Sequence, residues 1–179
     1  MGKGVAASML TAHLHAIFRS LSTPTGPVNE LVAKANRVFC EGTVGSFFAT
    51  LVCGRLGRDG FVEVCSAGHC PPLHFQDGTV SQMESSGLPL GLFRDAEYTS
   101  YNRKLSTGDG LAIHSDGLSE AFNNEGAQYG IARLSNLLRR QSTHTPDQIL
   151  ASLLADLGEF RTSAPVTDDL TVMVIRRES

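Results

Sequence analysis

Hydrophobic residues recur at helical spacing through the first forty residues of the chain. The series that begins at Val5 predicts a helix that ends near Leu21. A second helix is predicted from about Val28 to Glu41, with Pro27 well placed as its first residue because proline is tolerated at a helix N-terminus. Both helices are amphipathic, so each can cover one face of a sheet.

The pattern then changes to that of β-strands. Residues Ser46 to Gly54 form a nearly continuous apolar run, which predicts a strand buried on both faces. Turn signals such as Arg58-Asp59-Gly60 separate the later apolar runs. Further strands are predicted at Phe61–Ser66, Leu73–Phe75, Tyr98–Leu105, Leu111–Ser115 and Leu170–Ile175, and further helices at Ile131–Arg140 and Pro146–Phe160. This order predicts an α+β fold, with helices packed on antiparallel strands, in a single domain covering residues 1–179.

The composition is that of an ordinary globular domain. Of the 179 residues, 41% are hydrophobic and 18% are charged, and the formal net charge is −3. This slightly acidic balance argues against a nucleic-acid-binding surface or an anionic-membrane surface. The sequence contains no apolar stretch of membrane-spanning length and no signal-peptide core, so we expect a cytoplasmic protein.

The four cysteines, Cys40, Cys53, Cys65 and Cys70, do not show the C-x-x-C spacing of a zinc site. Two of them lie in apolar strand patterns, where a free thiol behaves as a small hydrophobic side chain. A reducing cytosol is the simplest compartment for a protein with these four cysteines.

Two short acidic motifs stand at the ends of predicted core strands. Ser115-Asp116-Gly117 follows one strand, and Asp168-Asp169 precedes the last one. Carboxylates held on rigid elements are oxygen ligands of the kind that hard divalent cations prefer, and a pair from distant positions suits a shared metal. Each motif alone also fits a tight turn or a solvated loop. The metal interpretation therefore depends on their occurring together.

These motifs belong to a longer series that resembles the bacterial PPM-type, metal-dependent serine/threonine phosphatases. The branch is that of the stage II sporulation protein E and the stress-sigma-factor regulators. Six segments match the family in its order and spacing, and together they are highly specific. They are Gly2–Ala7, Phe47–Leu51, Ala67–Leu73, Gly87–Gly91, Ser115–Ala121 and Asp168–Thr171.

The resemblance implies a sandwich of two antiparallel sheets flanked by helices, the αββα arrangement of these phosphatases. It also implies two Mg²⁺ or Mn²⁺ ions that activate a water for in-line attack on the phosphorus of phosphoserine or phosphothreonine. By motif alignment, Asp116 and Asp168 are the expected catalytic metal ligands, and Asp169 and Gly117 are further expected members of the metal site. Neighbouring side chains on a strand face opposite ways, so only one of the two adjacent aspartates is expected to reach the ion.

Two loops rich in glycine and proline are expected to regulate the site or to bind substrate. One contains Gly68 and His69, and the other contains Gly87, Pro89 and Gly91. Glycine permits unusual backbone angles and proline adds rigidity, while the resemblance places the second loop near a regulatory helical element. For His69, a general acid and a hydrogen-bonded structural histidine are both open interpretations.

The resemblance begins at Met1, inside the family's Asp-Val-Ser/Met-Gly-Lys-Gly segment. We therefore expect residues 1–179 to lack the first strands and the amino-terminal aspartate ligands, which leaves an incomplete two-metal site and an open sheet edge. The expected activity is hydrolysis of phosphoserine or phosphothreonine on a small phosphoprotein, such as an anti-sigma-factor antagonist. A non-catalytic binding module and a homodimer that covers the open edge are the alternatives.

Overall fold

The computed structural model describes residues 4–23, 25–43, 47–84 and 87–178. Gly2, Lys3 and Ser46, which belong to predicted motifs or elements, lie outside these ranges. The chain divides into two compact units. The first unit comprises Met1–His69 and Glu84–Lys104, and the second comprises Cys70–Met83 and Leu105–Ser179.

Helices and strands follow one another in groups along the chain, and the named strands pair antiparallel, so the predicted α+β class is confirmed. In chain order the elements are α1 (Val5–Leu21), α2 (Val28–Gly42), β1 (Leu51–Leu56), β2 (Phe61–Ala67), β3 (Leu73–Gln76), β4 (Thr79–Gln82), β5 (Ser100–Lys104), β6 (Gly110–His114), α3 (Asp116–Ser119), α4 (Gly130–Arg140), α5 (Pro146–Arg161) and β7 (Val172–Arg176). Within the described ranges, no helix combines the length and apolar character needed to cross a membrane.

The first unit is built around an antiparallel sheet with strand order β1-β2-β5. Helix α1 packs on α2, and α2 packs on β1 and β2. The core between them is a buried cluster that includes Val32, Phe39 and Cys65. The Glu63 carboxylate on β2 accepts a hydrogen bond of 2.8 Å from the Val28 amide, so it fixes the start of α2 against the sheet.

The predicted strand from Ser46 to Gly54 is wrong in both position and burial. Strand β1 begins at Leu51, and Phe47 and Phe48, inside the predicted strand, are 45% and 44% exposed. The residues of β1 itself are partly buried or exposed, and among the described strands β1 pairs on one side only, with β2. A continuous apolar run is therefore compatible with a half-covered strand preceded by residues that are mostly exposed.

The second unit contains an antiparallel sheet with strand order β4-β3-β6-β7. Helix α4 packs on β3 and β4, and α5 packs on β7. Leu134 and Leu138 of α4 join Phe75 of β3 in the buried core of this unit. Helix α5 begins with a capping box, in which the Thr145 hydroxyl accepts from the Gln148 amide and the Gln148 side chain accepts from the Thr145 amide.

The second unit differs from the prediction in several details. Strand β7 begins at Val172 rather than at Leu170, strand β4 was not predicted, and neither were the four residues of α3. A helix of one turn is too short to show a hydrophobic period, so the sequence pattern gives no signal for it.

Candidate functional site

The pairing of β6 with β7 brings the two acidic motifs together in the second unit. The register sets His114 opposite Val172, and the ladder continues one residue further, where the Ser115 amide donates to the Thr171 carbonyl at 2.9 Å. Asp116 is the residue after Ser115 of this pair, and Asp169 lies two residues before Thr171. The predicted proximity of the motifs is therefore present in the backbone.

Ser115 holds the junction in place through its side chain. The Ser115 hydroxyl accepts a hydrogen bond of 3.0 Å from the Thr171 amide and donates one of 3.2 Å to the Asp169 carbonyl oxygen. Sequence analysis assigned no role to this residue. A serine at the end of a core strand, directly before an acidic residue, is the signal that could have indicated it.

Gly117 allows the backbones of the two motifs to approach closely. A β-carbon at this position would lie 3.0 Å from the Asp169 carbonyl carbon and nearer still to its oxygen. Real β-carbons essentially never make such an approach, so any larger residue must displace the Asp168–Asp169 segment or move away from it. The structure thus explains why glycine follows Asp116 in this motif.

The carboxylates of the two motifs are exposed to solvent. Asp116 is the first residue of α3, and one of its oxygens accepts a hydrogen bond of 3.0 Å from the Gly117 amide. One Asp168 oxygen accepts a hydrogen bond of 2.9 Å from the Asp169 amide. Because β7 begins only at Val172, neither Asp168 nor Asp169 is on a strand, and the expectation that their side chains alternate has no structural basis.

Cys70 lies within electrostatic reach of this acidic junction. Burial raises the pKa of the Cys70 thiol, a hydrogen bond with the Ser119 side chain lowers it, and the negative charges of Asp116 and Glu120 raise it. The net direction is upward. Burial is the largest cause, and the contributions of Asp116 and Glu120 show that their negative charges act at this position, where they would favour a bound cation.

The donors at the junction fit a hard divalent cation as part of its ligand set. Carboxylate oxygens of Asp116, Asp168 and Asp169 are of the right chemical type, and the close approach at Gly117 keeps their segments adjacent. Among the residues that the structure describes, no group of three or more His, Cys, Asp or Glu side chains is arranged to hold a metal. Mg²⁺ commonly binds through one or two carboxylates and keeps several waters, so a complete protein cage is not required.

The residues of the two predicted loops lie in the first unit, whereas the aspartates lie in the second. The Gly68 amide donates to the Gly87 carbonyl at 2.8 Å, and a β-carbon at Gly68 would overlap the Pro89 ring. Gly68 and Gly91 have positive φ angles of 66° and 91°, as expected for glycine-dependent turns. The His69 carbonyl accepts a hydrogen bond of 2.9 Å from the Ser66 hydroxyl. A regulatory or substrate-binding role for these loops stays a prediction.

A buried asparagine that sequence analysis missed anchors the second of these loops. Asn36 of α2 is fully buried, and its side-chain oxygen accepts from the Gly91 amide at 2.9 Å. Its side-chain nitrogen donates to the carbonyls of Phe93 and Arg94 at 2.8 and 3.1 Å. A polar residue inside an otherwise apolar helix face is the sequence signal for such an anchor.

Comparison with known proteins gives matches over nearly the whole chain. The model of the family described as Stage II sporulation protein E (SpoIIE) matches residues 1–178. The phosphoserine phosphatase RsbU of Bacillus subtilis strain 168 is 25% identical over 186 residues, an alignment that covers 99% of this chain and 53% of RsbU. The chain therefore spans about half the length of this curated relative.

Two solved structures with a similar fold cover nearly the whole of this chain. The structure of the RsbU and RsbW domains of Rv1364c from Mycobacterium tuberculosis has a TM-score of 0.80 at 27% identity, and the match covers 99% of this chain and 49% of that one. The phosphatase domain of the cell fate determinant SpoIIE from Bacillus subtilis has a TM-score of 0.66 at 19% identity, over 100% of this chain and 74% of that one. At that identity, the second match shows the fold alone.

Proposed function

The chain belongs to the Stage II sporulation protein E (SpoIIE) family, a branch of the PP2C (PPM) phosphatases, and we propose that it hydrolyses phosphoserine or phosphothreonine on a protein with the help of a divalent metal. The family membership confirms the resemblance predicted from the sequence. The name phosphoserine phosphatase, carried by RsbU, supports the proposed reaction.

The observation that carries this proposal is the junction of the two acidic motifs. The Ser115 side chain bonds both the Thr171 amide and the Asp169 carbonyl, which keeps the segment of Asp168 beside that of Asp116. Segments held by a strand ladder and by side-chain hydrogen bonds keep their geometry, which is what a binding site for a small cation needs.

Asp116 and Asp168 are proposed to hold the metal, with Asp169 and the Gly117 backbone as further members of the site. A divalent cation bound there supplies Lewis acidity to phosphoryl transfer and offsets the negative charge that develops on the phosphoryl oxygens. The exposure of these aspartates leaves room for a phosphorylated side chain to approach. Whether the ion is Mg²⁺ or Mn²⁺, the donor chemistry is the same.

The proposed substrate is a small phosphorylated regulatory protein of a partner-switching pathway, such as an anti-sigma-factor antagonist, and the proposed compartment is the cytoplasm. This proposal is supported by the similarity to RsbU and to a solved chain that carries RsbU and RsbW domains together. The slightly acidic chain, with its formal net charge of −3, is consistent with a protein substrate rather than a nucleic acid.

The proposal is tested by phosphate release from p-nitrophenyl phosphate and from a phosphoserine protein, with and without added Mn²⁺. The substitutions Asp116→Asn and Asp168→Asn are each expected to lower kcat/KM by at least about 100-fold, because metal contacts supply several kcal/mol of transition-state stabilisation. Asp95→Asn is the matched control, since Asp95 is 73% exposed in the first unit and lies outside the acidic motifs. Mn²⁺-dependent release that is unchanged in Asp116→Asn would contradict the assignment.

The same assay separates the enzyme from the alternative of a binding module. A binding module would retain a phosphoprotein without releasing phosphate, at any Mn²⁺ concentration. This alternative has less support, because the curated relative is named as a phosphatase.

A further inference from the structure

Two of the four cysteines face each other across β1 and β2. In the antiparallel register, Cys53 lies directly opposite Cys65. Side chains of directly opposed residues project on the same face of a sheet, with β-carbons roughly 4.5–5.5 Å apart. Here that face is covered by the core of the first unit, since Cys65 belongs to the buried cluster and Cys53 packs against it.

The hydrogen bonding of the hairpin defines the backbone geometry of this pair. At the turn, the Gly57 amide donates to the Phe61 carbonyl at 2.7 Å, which makes Gly57 and Phe61 a hydrogen-bonded pair. Hydrogen-bonded and non-hydrogen-bonded pairs alternate along an antiparallel ladder, so the register assigns Cys53 and Cys65 to the hydrogen-bonded class. Such pairs have Cα atoms about 5.5 Å apart, inside the range of roughly 4.4–6.8 Å that disulfides span.

We propose that Cys53 and Cys65 are an oxidation site, which forms a reversible disulfide across the β1–β2 hairpin by exchange with a small-molecule disulfide. In the first step the Cys53 thiolate attacks one sulfur of that reagent, and the other half leaves as a thiol after taking up a proton. In the second step the Cys65 thiolate attacks the Cys53 sulfur and releases the remaining half. The two cysteines lose two electrons and two protons, and the reagent gains both.

The order of the two steps follows from burial. Cys53 is partly exposed and can meet the reagent, whereas Cys65 is fully buried and can act only from inside. Burial raises the pKa of both thiols, that of Cys65 to about 12. Because the thiolate is the attacking species, the exchange is slow at neutral pH and accelerates as the pH rises. The β-carbons must also approach by about 1 Å to reach a normal disulfide separation, so a dithiol reductant readily reverses the bond.

The experiment uses two double variants of the full chain. Cys40→Ser/Cys70→Ser keeps only the proposed pair, and Cys53→Ser/Cys65→Ser keeps the other two thiols as a matched control. Both are incubated natively with oxidised glutathione from pH 7 to pH 9, alkylated and measured by intact mass. The wild-type chain is treated in parallel and cut at glutamate, because Glu63 separates Cys53 from Cys65 and Glu41 separates Cys40 from Cys53.

The pair-only variant is expected to lose about 2 Da and both alkylation sites, at least tenfold faster than the control, and to recover them with dithiothreitol. In the wild-type digest, fragment 42–63, which carries Cys53, should be linked to fragment 64–84, which carries both Cys65 and Cys70. Tandem mass spectrometry of the linked fragments should then assign the bond to Cys65, a readout that holds even if a double variant fails to fold. Retention of both thiols, accumulation of glutathione adducts alone, or linkage through Cys40 or Cys70 would each overturn the proposal. The outcome does not depend on phosphatase activity.

Discussion

Replacing Gly117 by alanine should separate the two acidic motifs without removing any of the proposed metal ligands. The new β-carbon would lie 3.0 Å from the Asp169 carbonyl carbon and closer to its oxygen. Ordinary contact between carbon atoms begins near 3.5–4.0 Å, so the segments must part by about 1 Å. The hydrogen bond of 3.2 Å between the Ser115 hydroxyl and the Asp169 carbonyl would then be stretched beyond useful length.

A displacement of about 1 Å at a catalytic constellation can lower activity by about 100-fold. We therefore expect Gly117→Ala to lower kcat/KM for p-nitrophenyl phosphate by about that factor and to weaken Mn²⁺ binding measured by calorimetry. The free energy of unfolding should fall by about 1–3 kcal/mol, as for other overpacked positions. Kinetics, calorimetry and urea unfolding on the same preparation separate the two effects.

Gly158→Ala is the matched control for this substitution. Gly158 lies inside α5, and apart from its chain neighbours and the backbone of its own helix, a β-carbon there would meet no atom within 4 Å among the described residues. Alanine should raise stability by up to about 1 kcal/mol because it favours the helix, and should leave kinetics unchanged. If Gly117→Ala keeps wild-type kcat/KM and Mn²⁺ affinity, the close approach at Gly117 is not needed for function and the reasoning fails.

Three further substitutions test the packing and electrostatics of the two units. Arg133 hydrogen bonds hold the pKa of Asp156 below its usual range. The pair therefore stabilises the fold above about pH 4 and loses this effect as the pH falls through the lowered pKa. Asp156→Asn should cost roughly 0.5–1 kcal/mol at pH 7 and progressively less as the pH falls below about 4; a cost by urea unfolding that does not fall with pH would refute this. Asn36→Ala should cost about 2–3 kcal/mol, because the fully buried Asn36 side chain bonds three backbone groups that would lose this partner, while Asn102→Ala at an exposed position of β5 should cost little. Thr145→Ala should cost about 1 kcal/mol in thermal or urea unfolding through loss of the capping box, and Thr145→Ser should restore most of it.

The helices were the most predictable part of the fold, because their signals are local. The predicted start and end of the helix Val5–Leu21 agree with the structure, and Pro146 was correctly predicted as the first residue of α5. Strand β1 was less predictable, since an apolar run does not say which neighbours will cover it. Phe47 and Phe48 were included in the predicted strand, but they are exposed and lie before the start of β1.

The candidate site could be predicted only in part. Asp116 and Asp168 were identified through motifs that resemble a family, and the structure places their segments side by side by pairing β6 with β7. The supporting contacts of Ser115 were not predictable, because they depend on a register between distant parts of the chain. Local sequence gives no information on which strands will be neighbours.

The strand ladder beneath the aspartates also dictates when the site can first exist. His114 pairs with Val172, and both α4 and α5 lie between them in the chain. During translation, those helices emerge and can fold while β7 is still inside the ribosome. A nascent polypeptide therefore exposes Asp116 before the segment of Asp168 arrives, and the proposed cation site requires Val172 to have been released. A product that ends before Val172 would lack the strand that brings the two acidic motifs side by side.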